Sequence, residues 1–401
     1  MTPLLSASAG TRNVELVVDG QIFMTWTRVN ITRSLTDLSG SFELEMTDPP
    51  RHIAAFPWST PRPGAPIRFG AKAEIRVWGE PVLVGWIEDV HPYVEDGRAM
   101  LYVAGRDVTC DPVDCPPDPR GRHEYRNIDL LEFCKKVLAK WPHISVRAEV
   151  DVGAAFDRLS VDAGETALSA IEKHARKRGV LVTSDGVGGV VLTRSGKTAA
   201  PGSIALPGNV RALQGNVSAR ERFSDYFVKG GAEKSGGRKG GPALDAEAGP
   251  ADEPRQAAGD QSGEGHAEAA GSLVMGHARD EEVTRWRPVV NLSRTQTSQN
   301  DAQTYAEWLM RTRRGKSEQV DYEVSGWRAP GGLWRLNQLA MVEDNYSLIS
   351  RQMLIHRIAY QYSARGELTR LGLCGPEAYD REPAGDRRQA KGGARSAFKG
   401  A

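Results

Sequence analysis

Residues 302 to 374 constrain the fold more than any other stretch, because the hydrophobic period changes inside them. Ala302, Tyr305, Ala306, Leu309 and Met310 recur at helical spacing, which predicts a helix over 299–314. Arg311, Arg313 and Arg314 complement the dipole of its last turn, and Gly315 is placed as the C-cap. The period then drops to two. Val320, Tyr322 and Val324 alternate with Gln319, Asp321, Glu323 and Ser325, the pattern of a half-buried strand. Gly331-Gly332 breaks the chain before Trp334, and Leu339 to Val342 is a short apolar run. Leu354, His356, Ile358, Tyr360 and Tyr362 share one face of a long strand, and a turn at Gly366 returns the chain through Leu371 and Leu373. One helix feeding an antiparallel meander predicts a small closed or nearly closed barrel with the helix packed on it.

The amino-terminal third repeats that character. Val14, Leu16 and Val18 alternate before an Asp19-Gly20 hairpin signal, and Phe42, Leu44 and Met46 alternate with Ser41, Glu43 and Glu45. Strands over 73–78, 82–90 and 100–104 follow, with turns at Gly79-Glu80 and Asp96-Gly97. Strands at this spacing predict a barrel or sandwich over residues 1–112. An apolar strand, a Gly-Trp strand and a long hairpin echo residues 317–374, so a duplication is expected, residues 13–110 against 204–229 plus 285–374.

Between the two lies a different composition. Residues 111–122, DPVDCPPDPRGR, hold too much proline for regular structure and mark a boundary. Over 113–200 the pattern is a small α/β module. Leu131, Cys134, Leu138 and Trp141 form one helical stripe, ended by Pro142, before a strand at 144–150. Asp162 and Glu165 are placed as a capping pair ahead of a second stripe of Leu168, Ile171 and Ala175. Gly179 stops that helix, and Val180–Thr183 and Val190–Thr193 form a hairpin. The second barrel then occupies 201–380, interrupted at 231–284 by a Gly-, Ala- and Glu-rich insertion that cannot offset its own ordering entropy. Residues 381–401 are a flexible basic tail carrying Arg387, Arg388 and Lys391. The fold class is thus α+β, mainly β: two similar small antiparallel barrels flanking an α/β module.

Chemistry is hard to find. Gly196-Lys197-Thr198 and Gly315-Lys316-Ser317 lack the earlier glycine of a phosphate loop, with Val191 and Met310 in its place, and read as a turn and a helix end. Cys110, Cys115 and His123 have the wrong spacing for zinc, and Cys134 and Cys374 sit on apolar faces. His174 and His356 lie inside regular elements, and His356, on a face with Leu354 and Ile358, reads as a core or interface histidine, with no nucleophile elbow in the chain. Glu343-Asp344 could imitate a glycosidase carboxylate but reads as an acidic turn. With 52 basic against 51 acidic residues, the chain is no general nucleic-acid binder, although the basic tail could meet an acidic surface. The amino terminus lacks the pattern of a secretory signal and no apolar run reaches membrane length, so a soluble protein made in the cytoplasm is expected. No catalytic, metal or cofactor site is predicted. An interaction protein remains, with Trp58, Trp78, Trp86, Trp327 and Trp334 as candidate interface anchors.

The ordered pieces AEWLMRTRRGKS, YEVSGW, GGLWRLNQLAMVEDN and MLIHRIAYQYSARGELTRLGLCGPEAY resemble the baseplate hub proteins of Mu-like contractile phage tails, the gpP/gpD-type tail proteins. The resemblance covers most of residues 10 to 380 and is strongest over 127–194 and this carboxy-terminal stretch. It implies a virion structural protein rather than an enzyme: a homotrimer whose paired barrels form a ring, adapting a threefold spike to a sixfold tail tube. Its implied partners are the tail spike protein, the tube or tube-initiator protein and the baseplate wedge proteins. It implies no membrane, no specific nucleic acid, no cofactor and no catalytic residues. A hub of a secretion-like injection machine and a peptidoglycan-degrading tail enzyme are the competing readings. The insertion and the basic tail depart from the family pattern.

Overall fold

The computed structural model describes residues 11, 13–48, 67–95, 98–196, 198–231, 273–292 and 299–379. The expected turn at Asp96-Gly97, the basic tail and most of the insertion, residues 232–272, lie outside them. The described chain is mainly β. It opens with β1 (Val14–Val18), β2 (Gln21–Phe23), β3 (Arg28–Ser34), β4 (Ser41–Asp48), β5 (Lys72–Val77), β6 (Glu80–Glu95) and β7 (Arg98–Asp107). Asp19 and Gly20 both take positive φ between β1 and β2, the turn that fits the strand twist of a tight hairpin.

The module follows, as α1 (Cys110–Asp114), β8 (Glu124–Ile128), α2 (Leu130–Val137), β9 (Ser145–Ala148), β10 (Phe156–Ser160), α3 (Ala167–Arg176), β11 (Leu181–Ser184) and β12 (Gly189–Thr193). It has its own core, around Phe133, Val137, Ile171 and Leu192. Three local expectations change here. The proline-rich segment begins with a helix, because Pro112 sits in the first turn, where a missing N–H costs nothing. The buried stripe of α2 is Leu130, Phe133, Cys134 and Val137, set by Asp129 as the N-cap, and α2 ends at Val137, well before Pro142. Thr166 caps α3 rather than Asp162, although Glu165 does accept from Asp162 N at 2.9 Å. Gly179 ends that helix with φ +56°.

The chain continues through β13 (Thr198–Ala199), β14 (Ile204–Leu206), β15 (Val210–Val217), β16 (Asp225–Gly231), β17 (Leu273–Arg279), β18 (Pro288–Leu292) and α4 (Gln299–Ser317). It closes with β19 (Glu318–Ser325), β20 (Arg328–Ala329), β21 (Gly332–Leu333), β22 (Gln338–Asp344), β23 (Ile349–Ser363), β24 (Gly366–Cys374) and a 3-10 turn, Pro376–Tyr379. Two compact units result, one reaching Phe223 and resuming at Trp308, the other Ser224 to Glu307. In the second, β16 is flanked by antiparallel β17 and parallel β18. Residues 224–229 and 285–292, expected in the second barrel, therefore form a separate sheet. The end of the expected insertion is strand β17, pressed against its helix so closely that a methyl on Gly276 would lie 2.0 Å from Ala302 O.

In the first unit the two expected barrels are one sheet. Fourteen strands join in the order β15-β19-β24-β23-β3-β4-β7-β6-β5-β1-β2, with β13, β14 and β22 attached through β23. Neither half closes on itself among the described residues. The seam is β3 against β23, Val29 opposite Tyr362 through Ser34 opposite Arg357. A single apolar core runs beneath both halves, from Val14 and Phe42 to Tyr322 and Leu373. Gly315 lies inside α4 rather than capping it: a methyl there would come within 2.6 Å of Ala378 N, so packing against the 3-10 turn, not a turn conformation, explains the glycine.

Candidate assembly surfaces

The duplication is legible residue by residue. β6 carries a bulge where Ile87 faces Gly105 and Asp89 faces Ala104, leaving Glu88 unmatched. β23 carries the same bulge where Ile355 faces Leu373 and Arg357 faces Gly372, leaving His356 unmatched. Counting outward aligns Val103 with Leu371, Leu44 with Tyr322 and Val29 with Leu213. On the other side Ala73 aligns with Ala340 and Ile75 with Val342, and all four are fully buried. Thus β3-β4-β7-β6-β5 repeats as β15-β19-β24-β23-β22. The repeat is a matter of register, with little identity between paired residues.

Matched hairpin tips present exposed apolar groups. Trp78, at φ +53°, stands between β5 and β6, and Tyr346 and Leu348, the latter at φ +57°, stand between β22 and β23. The second tip is shaped by Asp344, whose buried carboxylate accepts from Tyr322 Oη at 2.8 Å and from the N–H groups of Tyr346 and Ser347 at 2.8 and 3.0 Å. Burial alone would raise this carboxyl, but those hydrogen bonds hold it below its ordinary range. Glu343 is exposed beside it, so the acid pair points to opposite faces and serves the turn.

The other described residues singled out from sequence take part in packing and local hydrogen bonds. Burial pushes the thiols of Cys110, Cys134 and Cys374 up to about 12, leaving them poor nucleophiles and poor ligands. No group of metal-ligating residues occurs among the described residues. His174 bonds Ser160 O through Nε2 at 2.8 Å inside the module. His356 is buried at the bulge, its ring stacked on Tyr379. Gly196 donates to Asn337 Oδ1, and Lys316 lies in the last turn of α4, its ammonium over the Tyr379 ring. Arg313 stacks on Phe223 at 5.0 Å and donates to Glu221 O. A cavity of about 310 Å³ between β11–β12 and residues 335–338 is rich in charge, but its Arg147 pairs with Asp185 and its Arg335 with Glu80.

The tryptophans divide. Trp327 and Trp334 are core residues, the first donating to Gln361 O and Leu368 O at 3.0 and 3.1 Å, so they are not interface anchors. Trp86 is half-buried, Trp58 lies outside the described residues, and of the four that are described Trp78 alone is exposed. Alternation cannot separate a core indole from a surface one when both flank a turn. Trp286, exposed in the second unit, had no periodic pattern to mark it.

The module is fastened to the sheet by Asp107, buried at the end of β7. Its carboxylate accepts from Gly40 N at 3.0 Å, Thr109 N at 2.8 Å and Ser184 Oγ at 3.0 Å. Val84 N also donates to Gly186 O at 2.7 Å, so the β11–β12 turn sits on β6. No described helix is long and apolar enough to cross a membrane.

Three family profiles match along the chain. Residues 13–107 match the N-terminal domain of Mu phage baseplate assembly protein GpP-like proteins, and residues 298–382 the fourth domain of Mu phage baseplate assembly protein GpP. Residues 109–194 match the second domain of gp44-like baseplate hub proteins. Baseplate hub protein gp44 of Escherichia phage Mu is 30% identical over 391 residues, covering 96% of this chain and 93% of gp44. The 43 kDa tail protein of prophage MuSo2 from Shewanella oneidensis is 31% identical, with a TM-score of 0.72 over 92% of this chain and 99% of that one. A tail protein from Neisseria meningitidis shares the fold at 18% identity, with a TM-score of 0.69 over 92% and 99% of the two chains.

Proposed function

This chain belongs to the Mu-like phage baseplate hub family, a component of the virion tail baseplate, and on that premise we propose that it works as a trimeric ring joining a threefold spike to a sixfold tail tube. The register-matched duplication carries this reading. Each chain supplies two equivalent sheet halves, so three chains supply about six similar units around one axis. A sixfold tube can then sit on one face while the chains keep threefold contacts on the other. The work is binding, not catalysis.

In this proposal residues 1–112 and 201–380 form the ring, residues 113–200 face the spike or the periphery, and residues 381–401 are an arm. Sheet edges and hairpin tips such as Trp78 and Tyr346 meet the tube or tube-initiator protein, and wedge proteins bind outside. The mass of the purified chain, by light scattering behind a sizing column, tests this. A mass of about three chains is expected. A strict monomer at high concentration, still monomeric with the spike protein added, would sink the ring.

A further inference from the structure

The shared register exposes two edges whose counterparts are already paired to each other. Beyond its bulge β23 leaves β22 and is taken up by β3, and Ile358 and Tyr360 are buried there. Beyond the equivalent bulge β6 leaves β5, whose last pair is Lys72 with Trp86, and among the described residues only β7 stays beside it. Tyr93 and Val94 on that arm are more than half exposed. β15, the counterpart of β3, is bonded by β19 on one side and by no described strand on the other, and Val217 is 74% exposed. A bare row of N–H and C=O groups is a template for another strand.

We propose that the outer arm of β6 in one chain pairs antiparallel with β15 of a second copy, in the register that β23 uses on β3. This rests on the ring reading above and names its interface. Transferring the internal register sets Val90 against Val217, His91 against Asn216, Pro92 against Gly215, Tyr93 against Gln214 and Val94 against Leu213. The exposed Val94 and Val217 then each meet an apolar partner. Gly215 has open space around it, which admits the Pro92 ring. In the internal ladder Leu35 N donates to His356 O, which turns the backbone of residue 360 toward β3. Pro92 stands in that place without an N–H, so the ladder between copies holds one hydrogen bond fewer. Each chain carries one of each edge, so the contact is head-to-tail, and a head-to-tail contact that closes makes a ring.

A cross-strand disulfide tests the register. His91→Cys with Asn216→Cys, in the full chain with the exposed Cys115→Ser, places thiols at a closely spaced pair within bonding range. On oxidation the double variant should move from a one-chain band to multiples on a non-reducing gel and collapse with reductant, and neither single variant should. Light scattering on the same samples separates the two ideas. A multimer that never cross-links, or links only within one chain, overturns the strand pairing and leaves the ring standing; a monomer at every concentration overturns both. Val217→Asp, at an exposed site, should keep the thermal transition and lose multimer, and an unchanged multimer fraction would also overturn the pairing.

Discussion

The two halves of the sheet share a register and differ in what surrounds it. In the carboxy-terminal half the bulge residue is His356, buried, and the strand beyond it is covered by β3. In the amino-terminal half the bulge residue is Glu88, exposed and ion-paired to Arg106, and among the described residues no strand covers the far side of the strand beyond it. A duplicated architecture thus diverges where one copy is covered by a strand of the same chain and the other, among the described residues, is not. Backbone pairing is retained because a slip of one residue would turn every core side chain outward. Side chains at equivalent positions follow their local environment.

The largest test asks whether the halves are energetically one body. Trp327 fills the core of the carboxy-terminal half and satisfies two carbonyls, so Trp327→Ala should cost about 3–5 kcal/mol. Because one apolar core underlies both halves, the loss should lower a single cooperative transition in denaturant. Two transitions, with only one displaced, would mean that the halves fold as separate barrels. Trp78→Ala, at an exposed tip, should stay within about 0.5 kcal/mol and thereby divide the tryptophans into core and surface.

How much of this was legible from sequence follows from the range of each interaction. β6, β23 and their hairpins could be read because alternation and turn chemistry act over a few residues, but the bulge in β23 could not: it puts Ile355 with Ile358 and Tyr360 in the main core and sends Leu354 and His356, expected on that same face, to the other side. The membership of Tyr322 and Leu371 in a core could be read for the same reason. The β3–β23 seam could not: it joins residues about 330 apart in the chain, and nothing in Val29-Asn-Ile31 names its partner. That seam turns two expected barrels into one open sheet. Gly315 was misread because a glycine needed for close packing looks, in sequence, like one needed for a turn. The candidate surface was legible only as a surplus of tryptophan, and the exposed edge at Val94 and Val217 emerged only from comparing the two registers.

A smaller effect distinguishes the bulges by pH. Burial disfavours the charged imidazole of His356, so its folded-state pKa lies below the ordinary 6.5. The unfolded chain then binds a proton that the folded chain refuses. Stability should be constant above that ordinary value and fall as the pH drops through it toward the folded pKa. His174 contributes in the same direction, so the informative quantity is the difference in slope between the native chain and His356→Gln in thermal melts across that window. A slope unaltered by the substitution would show that His356 is not the buried group that the fold makes it.

The smallest effect belongs to the other bulge. Arg106 bridges Glu88 at 2.7 Å and Asp114 of α1 at 2.6 Å, with about a third of its side chain exposed. Exposed pairs of this kind contribute at most about 1 kcal/mol and are screened by salt. Arg106→Gln should therefore lower the melting temperature slightly in dilute buffer and hardly at all in concentrated salt. A large, salt-independent loss would mean that the ion pairs hold the bulge in place. The fold argues otherwise: β23 makes the same bulge with no acid at that position, and each bulge lies opposite a glycine of its partner strand, Gly105 in β7 and Gly372 in β24. The bulge is thus a property of the strand pairing, and Glu88 and His356 are two side chains that the same backbone step can carry, one where no described strand lies beyond it and one under a covering strand.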